Sequence, residues 1–123
     1  MTLAVQLDRT HFPYPLIVHF IDGRMWELVR SFEYIRDNGE VITVPAGFMF
    51  DFASIPRIFW SVIGSPTGPY GPAAVIHDFL CVKKPYPYPE IDYIFYEAMK
   101  NLDVPYLKRT VMYYAVCLFH LFN

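Results

Sequence analysis

Phe50-Asp51-Phe52-Ala53-Ser54-Ile55-Pro56-Arg57 is where the periodicity of this 123-residue chain changes. Before it, apolar residues tend to alternate with polar ones. After it, they recur three and four positions apart. A pleated strand puts every second residue on one face, and a helix every third or fourth, so the two halves call for different backbones. The chain therefore reads as α+β, a single domain over 1–123 that is mainly β over 1–50 and mainly α over 51–123.

Upstream of that stretch, Leu16-Ile17-Val18-His19-Phe20 is bounded by Pro15 and by the turn dipeptide Asp22-Gly23. Trp26 to Ile35 follows, with apolar Trp26, Leu28, Phe32 and Tyr34 alternating with Glu27, Ser31 and Glu33. Asp37-Asn38-Gly39 is a second turn signal, and Glu40 to Val44 is a third, β-branched strand stopped by Pro45. A three-stranded antiparallel meander is expected. Downstream, about four helices packed on one face are expected. Ser54 caps the first, which runs to about Ile63 and ends at Gly64. Pro72 starts the second, from Ala73 to about Val82. Pro85-Tyr86-Pro87-Tyr88-Pro89 is an extended strap. A third helix covers Glu90 to Leu102, and Pro105 opens a fourth.

Composition narrows the function classes. The chain is 54% hydrophobic and 19% aromatic but only 18% charged. Such surplus aromatic surface usually ends in an interface, so a protein partner or homo-oligomer is expected. A net charge of −2 provides no basic field for a phosphate backbone, which excludes the usual electrostatic route to nucleic acid. Cys81 and Cys117 sit in apolar helical runs and read as buried thiols of a reducing compartment. The apolar run from Val111 to Phe122 falls short of the roughly 20 residues that cross a bilayer, so a core or oligomer helix is expected there and no membrane. With no secretory signal opening the chain, synthesis is assigned to the cytoplasm.

Ionisable groups among large apolar neighbours need partners, because an unpaired buried charge is costly. Asp51, Ser54, Arg57, His77 and Asp78 form such a set. They are either a structural knot or the lining of a reactive pocket. In the reactive reading Asp51, Ser54, His77 and Asp78 are the catalytic candidates, with a carboxylate of Asp51 orienting His77. Ser54 is the weakest of these as a nucleophile, since no glycine flanks it to form a sharp elbow. His77 and Asp78 are neighbours on a helix, so their side chains should diverge by about 100° and miss a common point. Arg57, Tyr70, Tyr86 and Tyr88 are the binding candidates, an anion contact and an aromatic rim. No cofactor is required. A hydrolase alternative would place a divalent metal on His77, Asp51 and Asp92. A thiol pairing of Cys81 with His120 or His77 is set aside, because the C-terminal end of a helix raises a thiol pKa. No zinc-like Cys/His spacing is visible.

Three motifs, V-P-A-G-F-M-F-D-F-A-S-I-P-R over 44–57, A-A-V-I-H-D-F-L over 73–80 and I-D-Y-I-F-Y-E-A-M over 91–99, together resemble a family of unknown function. Its small members occur largely in tailed bacteriophages and prophages. The resemblance covers roughly residues 40–102, and Phe50 stands where such proteins often carry Thr. It implies that Asp51, Ser54, Pro56, His77, Asp78 and Asp92 are family positions, and it implies a phage context without a reaction. The expected function is that of a small phage protein acting through protein contacts, in the head–tail or tail region of the virion or on a host component. It would be made in the host cytoplasm and could end in the virion. The alternative is a small hydrolase with an Asp/His site, metal-assisted or not.

Overall fold

Strands occupy the alternating half and helices the other, in a computed structural model that describes residues 1–122. The chain divides into two units, one ending at Asp51 and one beginning at Phe52. The architecture is α+β, an N-terminal antiparallel sheet followed by four helices.

In the first unit the strands are β1 (Thr2–Val5), β2 (Leu16–Asp22), β3 (Met25–Leu28), β4 (Phe32–Ile35), β5 (Val41–Val44) and β6 (Met49–Phe50). Four of them form one sheet in the order β1-β2-β3-β6, and β4 pairs with β5 in a separate ribbon. The expected three-stranded meander is therefore corrected. The strand read from Trp26 to Ile35 breaks at Val29-Arg30-Ser31 for a reason visible in its own alternation. Continued pleating would turn Arg30 to the face that buries Leu28 and Phe32, so the backbone leaves the sheet and all three residues of the break are exposed. Both turns form where expected, with Gly23 at φ +53° and Gly39 at +90°. The core of this unit includes Phe12, stacked on Phe32 at 5.8 Å, with Leu16, Val18, Leu28, Tyr34 and Val44.

The second unit opens on a loop. Ser54 does not cap a helix, because its hydroxyl is used elsewhere. Helical structure starts only at a single 3-10 turn, Arg57–Phe59, and continues as the short α1 (Trp60–Ile63) up to Gly64 at φ +63°. The indole N–H of Trp60 donates to the carbonyls of Phe52 and Ile55 at 3.1 and 3.0 Å, which fixes the loop against its own helix. α2 (Gly71–Lys83) is buried on every side from Gly71 to Asp78, as expected of a central helix. α3 (Tyr88–Asn101) begins two residues earlier than expected, because Pro89 fits the first turn, where its missing N–H costs nothing. The extended strap is shortened accordingly. α4 (Tyr106–Phe122) follows a turn through Asp103 at φ +62°. Among the described residues no helix is long and apolar enough to cross a membrane.

Candidate functional site

The site lies in the helical unit and grows from two adjacent residues of α2. Asp78 accepts from the incoming loop at both oxygens. The Phe52 N–H donates to Oδ2 at 2.7 Å, and the Ser54 hydroxyl makes a short hydrogen bond to Oδ1. Ser54 Oγ also stands 2.9 Å from Nδ1 of His77. The expected divergence of His77 and Asp78 is thus corrected. Their side chains leave α2 in different directions, but the loop lays one hydroxyl between them.

His77 is fully buried, and its second nitrogen, Nε2, lies 2.8 Å from Oδ1 of Asp92 on α3. The other Asp92 oxygen lies 2.8 Å from Nδ1 of His120 on α4. Asp92 is 1% exposed. One carboxylate therefore ties two histidines from two different helices. The carboxylate on His77 is that of Asp92, which replaces the expected link to Asp51. Cys81, one helical turn after His77, has its sulfur 3.9 Å from Nε2 of His77 and 3.8 Å from Nε2 of His120. The Tyr88 ring stacks on His120 at 4.0 Å, and Lys84 Nζ stands 4.1 Å from the Tyr88 ring.

Electrostatics favour neutral groups at the centre. Burial pushes His77 below its ordinary range, and the hydrogen bond and charge of Asp92 pull the other way without reversing it. Burial, reinforced by Asp78 and Asp92, pushes the Cys81 thiol up to about 12. A free Cys81 thiolate nucleophile is thereby excluded, and burial does more to exclude it than the helix end invoked from sequence.

The hydrogens of the inner run can be counted. Asp78–Ser54, Ser54–His77 and His77–Asp92 are three contacts. Ser54 brings one hydrogen and a neutral His77 one more. With both carboxylates ionised, one contact is left with lone pairs facing each other. Either a further proton enters the run or another electrophile takes one of its lone pairs. Because Ser54 gives its hydrogen to Asp78, it holds the loop and is poorly placed to act as a nucleophile.

The remaining candidates disperse. Asp51 ends the first unit, where its carbonyl accepts from Arg24 at 3.2 Å. Arg57 is exposed, with its guanidinium 5.1 Å over the Trp60 ring. Tyr70 is buried just before α2, so it is not part of an exposed rim. Tyr86 is half-buried in the strap. Tyr88 touches the cluster, its ring stacked on His120. A cavity of about 390 Å³ opens beside it, lined by Asp92, His120, Tyr113, Cys117 and Leu121 as well as Tyr88. Sequence reasoning named His120 only as a partner of Cys81 in the thiol pairing that was set aside, and so left it out of the Asp/His set. Its one signal was a lone imidazole in an otherwise apolar helix.

A family model described as a protein of unknown function, DUF1353, matches residues 26–116, well over half of the chain. An uncharacterized protein, y4jT, of Sinorhizobium fredii (strain NBRC 101917 / NGR234) is 41% identical over 101 residues, which is 79% of this chain and 30% of that protein. The chain thus spans under a third of the length of the relative it matches. No solved structure matches it.

Proposed function

The chain belongs to the DUF1353 family, and from that premise we propose that it acts through protein contacts, as a small phage- or prophage-type module of the virion or of a host-directed complex. The phage context rests on the motif resemblance. The contact reading rests on the outer face of α4. Leu107, Val111, Tyr114, Leu118 and Leu121 are all exposed there, with Leu107 at 73%, Leu118 at 56% and Leu121 at 75%. Their spacing of four, three, four and three is the seam of a helix that packs lengthwise on another helix. Apolar area of that extent is normally covered.

The occupant is a second copy of this chain, its α4 antiparallel to the first. α4 carries Lys108 near its start and no acidic residue anywhere. A parallel pair would set the two Lys108 side by side, whereas an antiparallel pair places each near the carbonyl end of the other helix. Light scattering on the purified chain tests this. A dimer mass that falls to the monomer in Leu118→Glu, with the circular dichroism unchanged, supports it. A wild-type monomer at every concentration overturns it.

A second reading is favoured by one observation, the cavity that Asp92 and His120 help to line. It is a hydrolase in which that pair supplies acid and base. Turnover of ester, phosphoester or amide probes that disappears in a folded Asp92→Asn variant supports it. Folded protein that turns over none of them removes it.

A further inference from the structure

His77 and Cys81 of α2 and His120 of α4 cluster together, an arrangement that points beyond the contact reading and does not depend on it. Each ring engages a polar partner through Nδ1: Ser54 for His77 at 2.9 Å, and Asp92 for His120 at 2.8 Å. Cys81 Sγ stands 3.8 Å from Nε2 of His120 and 3.9 Å from both ring nitrogens of His77, whose Nε2 also meets Asp92 Oδ1 at 2.8 Å. One ring nitrogen of each histidine and the sulfur all lie within 4.8 Å of one another. A tetrahedral ion with bonds of about 2.0–2.3 Å holds its donors about 3.3–3.8 Å apart. The three donors, up to 4.8 Å apart, must close by about 1 Å to reach that spacing.

We propose that His77, Cys81 and His120 bind a zinc-class divalent ion, with Asp92 Oδ1 as the fourth donor. The ligands then come from α2, α3 and α4. The set is two imidazoles, a thiolate and a carboxylate, the nitrogen–sulfur mixture that zinc prefers. Asp92 Oδ1 lies 2.8 Å from His77 Nε2, closer than two donors of one tetrahedral ion, so the pair must part by about half an ångström for both to reach it.

The hydrogen count is compatible with the assignment. With an ion on the His77 Nε2 lone pair, the contact to Asp92 no longer needs a hydrogen between them. His77 Nδ1–H then donates to Ser54, and Ser54 donates to Asp78. Two hydrogens serve two contacts. His120 likewise donates Nδ1–H to the other Asp92 oxygen. His77 thereby gains, through Ser54 and Asp78, the outer shell that fixes the tautomer and orients the ring at zinc sites, while His120 is held by the second oxygen of the ligand Asp92. Binding releases the Cys81 proton to solvent and forms a sulfur–metal bond. The His-to-Cys spacing of four on α2 and a third ligand 39 residues on fit no familiar zinc pattern, which is why no such site is visible in the sequence.

The full chain, stripped with a chelator and titrated with zinc or with cobalt as a spectroscopic stand-in, tests this. The expected result is one ion per chain, and for cobalt a thiolate charge-transfer band with the visible bands of a tetrahedral ion. Cys81→Ser should abolish the charge-transfer band, and Cys117→Ser should keep it. His120→Asn should lower affinity strongly, and Ser54→Ala, which touches no metal, by about ten- to hundredfold with the fold retained. A folded chain that takes up no stoichiometric zinc or cobalt overturns the proposal. So does a thiolate band that survives Cys81→Ser and is lost in Cys117→Ser.

Discussion

Phe52 has φ +65°, a conformation that costs a bulky residue about 1–3 kcal/mol. It is held from both sides, its N–H by Asp78 and its carbonyl by the Trp60 indole. Asp78→Ala would leave that buried N–H without an acceptor and release Ser54. A loss of about 2–3 kcal/mol in urea unfolding is expected, with Asp78→Asn milder because an acceptor remains. His77 gives a second expectation, one that carries a sign. Its folded pKa is lowered by burial, while the unfolded chain takes up a proton near 6.5. The unfolded state therefore binds more protons as pH falls below that value. Stability attributable to His77 is complete above about 6.5 and declines below it, at up to about 1.4 kcal/mol per pH unit. Urea midpoints from pH 8 to 5, measured with chelator present, should fall toward acid more steeply for the wild type than for His77→Gln. Parallel curves would contradict this.

Among the elements, α2 is the most demanding, because it is buried on all sides from Gly71 to Asp78 and carries two of the site's polar groups. Its entry depends on Gly71, where a Cβ would collide with the Pro66 carbonyl of the preceding loop. Backbone on backbone leaves no flexible end to yield. Gly71→Ala is therefore expected to cost several kcal/mol, of the order of an overpacked core substitution (about 1–3 kcal/mol) or more. Thermal melting checks it, and an unchanged midpoint would refute it. Much of this architecture was legible beforehand. The strand-to-helix change, both β turns, Gly64 as a stop and Pro105 as a start follow from local backbone preferences. The break at Arg30 was not read, although an inward place in the alternation does not suit a guanidinium. What stayed hidden was tertiary. Ser54 reads as a helix cap because nothing local reveals that Asp78 competes for its hydroxyl. Asp92 and His120 were both present as candidates or as interruptions. That one carboxylate spans two histidines depends on how α3 and α4 lie, which no spacing records.

For the molecule as a whole, the 19% aromatic content asks where so much apolar surface goes, and α4 supplies part of the answer. Its inner side contributes Met112 and Val116 to the core, while Leu107, Leu118, Leu121 and Phe122 remain outside. A helix that is apolar on both sides is not satisfied by one packing partner. If a second copy covers the outer side, folding and association become a single equilibrium. The melting temperature must then rise with protein concentration, because the associated form gains by mass action. A monomer shows no such rise. The stripe is apolar, so added salt should leave the slope nearly unchanged, unlike an interface held by ion pairs. Melting the chain over a hundredfold range of concentration is expected to give a rising midpoint in wild type. A flat line is expected in Leu118→Glu, which places a carboxylate in the middle of the seam. A flat line in both would mean that whatever covers α4 is not a second copy of this chain.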